Sequence, residues 1–224
     1  MSCELDHLVV VAHTLEQGVQ WCEATLGVVP APGGRHPLMG THNRLLRIAA
    51  APDFPRAYLE IIAIDPEAAS PGRPRWFGMD DADLQRSVAQ SPQLVHWVAG
   101  TAMLDMLRWG LVAAGLNPGE PLAASRDTPA GRLQWRIGVR DDGALLCGGA
   151  VPTLIEWQGA HPVDTLPDAG VRLESVCVRG LPAQAAHVLR PRGVQRATDA
   201  GPLIEAVLTT PRGRVRLCTG GQLP

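Results

Sequence analysis

Two histidines and two glutamates stand at matching places in the sequence and carry the chemistry that it suggests. His7 lies in L-D-H-L and His96 in L-V-H-W, whereas Glu60 lies in Y-L-E-I and Glu156 in L-I-E-W. An ionised carboxylate in an apolar strand is costly unless it is paired or bound to a cation. Imidazole nitrogens and carboxylate oxygens are also ligands for divalent metals. The four residues therefore predict one shared metal or acid–base site.

The elements that position these residues come from an internal repeat. Segments 7–27 and 96–115 each begin with His, continue as an apolar strand and an amphipathic helix, and end at Gly. Thr14 and Gln17 form a capping box that starts the first helix, and Gly27 suits the left-handed position after it. Three strand-like runs follow each helix. Each unit is therefore predicted to fold as strand, helix, strand, strand, strand.

The repeat predicts an α+β fold in which paired βαβββ modules form a curved mixed sheet shaped like a cup. The first module spans residues 1–65, a connector spans 66–92, and the second module spans 93–158. A weaker, partial third module spans 168–224 and lacks the His and Glu pattern. We expect it to serve as a cover or as a dimer interface.

Alternation along the closing strand of the first module decides which side chains share a face. Tyr58, Glu60 and Ile62 lie on one side, and Leu59 and Ile61 lie on the other. If the modules pair with approximate two-fold symmetry, both histidines and both glutamates converge. Taken singly, each fits a structural role better, as a core histidine or as the partner of one of the 20 arginines. The duplication favours a shared site.

Composition limits the classes of protein to which the chain can belong. Of 224 residues, 46% are hydrophobic and 19% are charged, and the net charge is -2, which indicates a globular protein without a basic field for nucleic acid. Five scattered cysteines predict neither a disulfide framework nor a zinc ribbon. No signal peptide and no apolar run of about 18 residues is apparent. A cytoplasmic protein that does not bind a membrane is expected.

Four further residues are candidates for binding a substrate. His42 and Asn43 lie on a strand that should border the cup, where they either hydrogen-bond a substrate or satisfy the backbone at a turn. Trp97 lines an apolar pocket or belongs to the core. Arg136 either holds an anionic substrate or belongs to the solvated face of its strand.

These motifs resemble the vicinal oxygen chelate superfamily, whose strand-helix-three-strand modules pair into a cup that holds one metal. L-D-H-L-V-V-V with a helix ending in L-G is similar to the opening module of glyoxalase I. HPLMGTHNRLLRI with YLEIIAIDP, and then RWFG, resembles the bacterial glyoxalase-like domain subgroup more specifically. Glu60 and Glu156 stand where the closing-strand ligands of that family stand. The resemblance covers residues 5–157.

The resemblance implies a metal-dependent isomerase or lyase that acts on a small molecule with vicinal oxygens. A divalent metal (Ni, Zn, Mn or Fe) held by His7, Glu60, His96 and Glu156 would polarise two adjacent oxygens. Glu156 or Glu60 would then move the proton between the carbons. Two alternatives are an Fe(II) extradiol-type dioxygenase and a metal-free binding or resistance protein of the same fold. A homodimer through the third module is also compatible with the sequence.

Overall fold

The structure is a computed structural model that describes residues 2–220, so the first residue of the predicted first module and the last four of the third lie outside it. The strands in this part of the chain are β1 (Glu4–Val11), β2 (Ala31–His36), β3 (Thr41–Arg47), β4 (Tyr58–Ile64), β5 (Gln93–Gly100), β6 (Glu120–Thr128), β7 (Gly131–Val139), β8 (Thr153–Trp157), β9 (Arg172–Arg179), β10 (Val194–Ala197), β11 (Ile204–Thr210) and β12 (Gly213–Cys218). The α-helices are α1 (Leu15–Leu26), α2 (Ala82–Gln90), α3 (Leu104–Ala113) and α4 (Ala183–Leu189).

The first eight strands form one curved sheet in the order β2-β3-β4-β1-β5-β8-β7-β6. The two modules meet at the antiparallel pair of β1 and β5, where His7 pairs with Val98 and Val9 pairs with His96. In this register His7 and His96 occupy equivalent positions, related by an approximate two-fold axis between the two strands. The sheet edges nearly close, because β2 lies against the Arg126 side chain of β6. The predicted α+β fold with paired βαβββ modules in a cup is confirmed.

Helices α1 and α3 pack on the outer face of the large sheet, where most of the core lies. The Thr14 side chain accepts a hydrogen bond from the Gln17 backbone N–H at 3.1 Å, and Gly27 ends α1 with φ 76°, as the capping pattern predicted. Helix α3 has no side chain that caps its first turn, and the hydroxyl of Thr101, three residues before the helix, accepts a hydrogen bond from the Met103 N–H. The inner face is a separate apolar layer that surrounds the polar residues of the cup.

The C-terminal segment forms a second sheet in the order β10-β9-β11-β12 and packs on the outer face of the first. Its elements follow the strand-helix-three-strand order, but the pairing differs from that of the modules. β9 is parallel to β10, the strand directly after its helix, whereas β1 is parallel to β4, the closing strand of its module. Because its sheet packs on the outer face of the first, the segment covers the outer core. Its role at a dimer interface stays a prediction.

Two stretches differ from the sequence-based prediction. The connector contains α2. Asp81 caps the start of this helix, because its side chain accepts hydrogen bonds from the backbone N–H groups of Asp83 and Leu84. The first strand-like run after α1 is predicted near residues 35–40, whereas β2 already ends at His36, because A-P-G-G carries no side-chain alternation to mark a strand. A Cβ atom on Gly33 would overlap the Asn43 side chain, so glycine is what lets β2 approach β3 here. Between residues 2 and 220, no helix has the length and apolar character that crossing a membrane requires.

Candidate active site in the first half of the cup

The strand register brings side chains from both ends of the first module onto one patch of the inner face. β1 and β4 pair in parallel, with His7 beside Tyr58 and Val9 beside Glu60. β3 is antiparallel to β4, with Asn43 beside Ile62. Because paired residues share a face and alternate residues return to it, His7, Glu60 and Asn43 all point into the cup.

Asp6 joins this patch through an irregularity in β1. The register between β1 and β5 shifts between Leu5 and His7, so neighbouring residues do not point to opposite faces there. Asp6 Oδ1 lies 2.7 Å from His7 Nδ1, and its Oδ2 accepts hydrogen bonds from Trp157 Nε1 at 2.9 Å and His161 Nε2 at 3.2 Å. The buried Asp6 carboxylate is therefore satisfied by three donors.

Glu60 is held between His7 and Asn43. Its Oε2 lies 3.5 Å from His7 Nε2, which is long for a hydrogen bond, and its Oε1 accepts from Asn43 Nδ2 at 2.6 Å. The backbone N–H of Gly34 donates to Asn43 Oδ1 at 2.8 Å and fixes the direction of the amide. The His7 ring also stacks on Tyr58 with centroids 4.5 Å apart. The result is a buried row of Asp6, His7 and Glu60.

The charges in this row depend on one another. Burial alone would lower the pKa of His7, but contacts with Asp6 and Glu60 raise that pKa to about 9. Burial alone would raise the pKa values of the two carboxyl groups. Hydrogen bonds from His161 and His7 lower the pKa of Asp6, and the nearby charge of His7 together with the hydrogen bond from Asn43 lowers the pKa of Glu60. At neutral pH an imidazolium therefore lies between two carboxylates.

The second half of the cup has a neutral pair where the first half has His7 and Glu60. Val98, the counterpart of Val9, pairs with Thr153 in β8, so Thr153 occupies the place that Glu60 occupies in β4. His96 Nε2 accepts from the Thr153 N–H at 3.1 Å and lies 3.1 Å from its hydroxyl. Burial and, to a smaller extent, the positive charge of His7 lower the pKa of His96 to about 3.

Glu156 lies on the outer face of the sheet, away from the predicted site. Ile155 and Trp157 on either side of it point inward, so Glu156 must point outward. Its Oε2 pairs with Arg136 Nη1 at 3.1 Å, and its Oε1 lies 3.5 Å from the Leu104 N–H at the start of α3. The predicted convergence of two histidines and two glutamates is therefore not formed, and Glu156 has a structural role at a helix N-terminus.

Three of the four predicted substrate-binding residues also lie outside the cavity. Trp97 is fully buried in the outer core, and its Nε1 donates to the Ala150 carbonyl at 3.3 Å. Arg136 forms an ion pair with Asp105 on the surface. His42 points away from Asn43, toward Asp65. These positions correct the sequence-based expectation, whereas Asn43 does line the cavity.

Several residues of the site escaped sequence reasoning. Asp6 was adjacent to His7 and Tyr58 shared the predicted face of Glu60, so both carried a signal that could have found them. His36 and Arg126 carried none, because their approach depends on how far the sheet curves. His36 Nδ1 lies 3.1 Å from Thr41 Oγ1, and burial lowers the pKa of His36 to about 4, so it is neutral in the cavity.

The cavity around Glu60 is small, about 30 Å³, which is room for roughly one water molecule. Trp76 and Phe77 cover it, and Phe77 also separates it from His96. Phe77 has φ 58°, a left-handed conformation that is strained for a bulky residue. A larger cavity of about 770 Å³ lies beyond Phe77, but it lacks His7, Glu60 and Asn43. We therefore locate the candidate site in the small cavity.

The residues present do not fit the predicted four-ligand metal centre. His7 and Glu60 are the two predicted donors that share the cavity, and a metal on His7 Nε2 would have to displace a proton that two carboxylates stabilise. Thr153 stands where a second carboxylate ligand would be required. In the part of the chain that the structure describes, no group of three or more His, Cys, Asp and Glu side chains is arranged to hold an ion.

The buried histidines predict a maximum of stability near pH 6.5. His7 retains its proton up to about pH 9, so the stability that its partners provide is complete below pH 6.5 and is lost as the pH rises to about 9. His36 and His96 resist protonation down to about pH 4 and 3, whereas the unfolded chain protonates near 6.5. Their contribution is therefore lost as the pH falls below 6.5.

Urea unfolding across this pH range measures both limbs of the profile. We expect the free energy of unfolding to fall by an amount on the order of a few kcal/mol on each side of the maximum. A His36→Gln variant should make the acid limb shallower, because His96 still contributes to it, and should leave the alkaline limb in place. A profile that is flat between pH 6.5 and 9 would contradict a protonated His7.

Comparison with known proteins supports this fold. The glyoxalase-like domain family matches residues 5–191. A hypothetical protein from Staphylococcus aureus has 14% identity and a TM-score of 0.60, over 98% of this chain and 87% of that chain. Methylmalonyl-CoA epimerases from Streptomyces coelicolor, with 2-nitronate-propionyl-CoA, and from Mycobacterium tuberculosis have 18% and 15% identity, with TM-scores of 0.44 and 0.42. Both matches cover 72% of this chain and 99% and 91% of theirs. No curated protein matches the sequence.

Proposed function

The chain belongs to the glyoxalase-like domain family, and from this premise we propose that it is an isomerase-type enzyme that moves a proton on a small molecule with vicinal oxygens. The observation that carries the proposal is the buried row of Asp6, His7 and Glu60, with Glu60 in a nearly dry cavity. Such a row has a base, a fixed positive charge and a second carboxylate that holds this charge in place.

Glu60 is the proposed base. The gap of 3.5 Å between His7 Nε2 and Glu60 Oε2 leaves the imidazolium free to donate to a substrate oxygen instead. When a substrate oxygen takes that donor, Glu60 loses its strongest charge partner and becomes more basic. One proton then passes from a carbon atom to Glu60, the electron pair of the C–H bond forms a C=C bond, and the π electron pair of the adjacent carbonyl group moves to its oxygen.

The imidazolium of His7 stabilises the negative charge that develops on that oxygen. Asp6 keeps the imidazolium oriented through its 2.7 Å contact with His7 Nδ1. Glu60 returns the proton to the neighbouring carbon, while the proton of the substrate hydroxyl group passes by way of His7 to the former carbonyl oxygen. The C=O bond thereby moves by one carbon, and the isomerisation needs neither an oxidant nor a reductant. The reaction is therefore balanced with the residues of the first module alone.

A substrate must displace the aromatic cover before this chemistry begins. The cavity holds about one water molecule, and Trp76 and Phe77 fill the space above it. The strained backbone of Phe77 lowers the cost of moving that side chain. Closure of the two aromatic side chains over a bound substrate would again exclude water.

Solvent deuterium exchange tests the proposal without knowledge of the natural substrate. The wild-type protein is incubated in D₂O with small hydroxy ketones and with 2-oxo and 2-hydroxy acids, and deuterium at the carbon next to the carbonyl or carboxylate is followed by NMR. We expect catalysed exchange with at least one compound. Binding without any exchange would reject the proposal and favour the non-catalytic binding protein that the sequence also allowed.

Dependence on a divalent metal stays a prediction, and no step above passes through one. The same assay is repeated after treatment with a chelator and after addition of Ni²⁺, Zn²⁺, Mn²⁺ or Fe²⁺. Oxygen consumption with a catechol, measured in parallel, tests the dioxygenase alternative.

A further inference from the structure

Arg126 points into the candidate site without an acidic partner. It lies in β6 opposite Leu133 of the inner core, and it lines the cavity together with Glu60 and Asn43. Its Nη1 lies 3.5 Å from Asn43 Oδ1, and no carboxylate between residues 2 and 220 forms an ion pair with it. Arg136, by contrast, contacts two carboxylates. Arg126 is therefore a cation in the cup whose charge no contacting acid neutralises.

Partial burial of the Arg126 guanidinium costs desolvation free energy, and no ion pair within residues 2–220 offsets this cost. The side chain is half-buried against Gly34, where a Cβ atom would overlap its stem. Burial lowers the pKa of Arg126, and the more distant carboxylate of Glu60 opposes this only in part. An unpaired guanidinium beside a cavity favours an anion that supplies two oxygens, because its N–H groups form a planar fork.

Arg126 and Glu60 lie close enough together in one cavity to act on the same small substrate. Both residues contact the same amide group: Asn43 Nδ2 donates to Glu60 Oε1 at 2.6 Å, and Asn43 Oδ1 lies 3.5 Å from Arg126 Nη1. The base and the guanidinium are thus separated by about one small planar group. A carboxylate on Arg126 would bring the carbon next to it within reach of Glu60.

We propose that Arg126 binds a carboxylate group of the substrate, so that the enzyme acts on a small hydroxy-oxo acid, in which the carboxylate lies beside the two oxygen-bearing carbons that exchange the proton. This inference rests on the proposed function of the same cavity. It also accounts for the charge of the site, because an anionic substrate beside Glu60 requires a second cation in addition to His7.

Oxalate, a planar anion with vicinal oxygens, is the probe, and oxamide is its neutral counterpart. Trp76, Trp135 and Trp157 line the cavity, so their fluorescence reports binding. We expect the wild-type protein to bind oxalate and to bind oxamide far more weakly. Arg126→Gln should weaken oxalate binding about 10- to 100-fold, and Arg126→Lys should restore part of the loss.

Arg132→Gln is the matched control, because Arg132 is exposed on the neighbouring strand and its guanidinium donates to the Ser125 hydroxyl, away from the cavity. It should bind oxalate as the wild-type protein does, and near-ultraviolet circular dichroism checks that each variant is folded. Oxalate binding that is absent from the wild-type protein, or equal in Arg126→Gln, would overturn the inference.

Deuterium exchange separates this inference from the proposed function. Exchange of neutral hydroxy ketones alone, retained in Arg126→Gln, would refute the carboxylate and leave the proton transfer standing. Oxalate binding that depends on Arg126 in a protein that exchanges no compound would support the carboxylate site and refute the isomerase.

Discussion

Replacing Glu60 by Gln should reduce the rate of deuterium exchange by about 10²- to 10⁴-fold, the usual contribution of a general base. The amide has nearly the shape of the carboxylate, and its oxygen can still accept from Asn43 Nδ2. It cannot take a proton, however, so the loss should be in kcat, whereas KM should change little. Exchange followed by NMR over a range of substrate concentrations separates the two parameters.

Glu156→Gln is the control that distinguishes this site from the one predicted by the repeat. Glu156 was expected to share the role of Glu60, but it pairs with Arg136 on the outer face. The exchange rate of Glu156→Gln should equal that of the wild-type protein. If Glu156→Gln loses activity and Glu60→Gln keeps it, the assignment of the base is wrong.

The fate of these two glutamates shows what a repeat in the sequence can and cannot predict. Matching strands and helices were enough to predict the paired modules and the positions of both histidines. The sequence alignment of Y-L-E-I with L-I-E-W, however, is out of register with the structure. The position in β8 that is equivalent to Glu60 in β4 holds Thr153. β8 is apolar on both faces, with Leu154 in the outer core and Ile155 in the inner one, so alternation could not reveal the offset.

Two other features of the site depend on geometry that the sequence does not specify. Alternation places Asp6 and His7 on opposite faces, and only the irregularity in β1 brings both into one row. Arg126 lies in the strand farthest from β2 in the order of the sheet, and it reaches Asn43 because curvature brings those two edges together. Strand patterns predict faces, but not how far a sheet curves.

Replacing Asp6 by Asn should destabilise the protein by about 3–5 kcal/mol at neutral pH, as expected when one partner of a buried charged group is removed. Asp6 accepts from His7, Trp157 and His161 and is almost fully buried. An asparagine can accept with only one oxygen, and its NH₂ group would face a donor. The imidazolium of His7 would also lose its closest counter-charge, so the pKa of His7 should fall. Urea unfolding gives the free energy, and NMR titration gives the pKa.

Asp105→Asn provides the comparison, because Asp105 also pairs with a cationic side chain but does so at the surface, with Arg136. Its free energy of unfolding should stay close to that of the wild-type protein, since solvent screens such pairs. The effect of Asp6→Asn should shrink in acid. The folded-state pKa of Asp6 lies below its ordinary value of 3.8, so ionised Asp6 stabilises the folded protein fully above that value, and this stabilisation is lost as the pH falls below it. Equal stabilities of the two variants at neutral pH would mean that Asp6 does not hold a charged His7. The pKa of His7 would then have to be set by Glu60 alone.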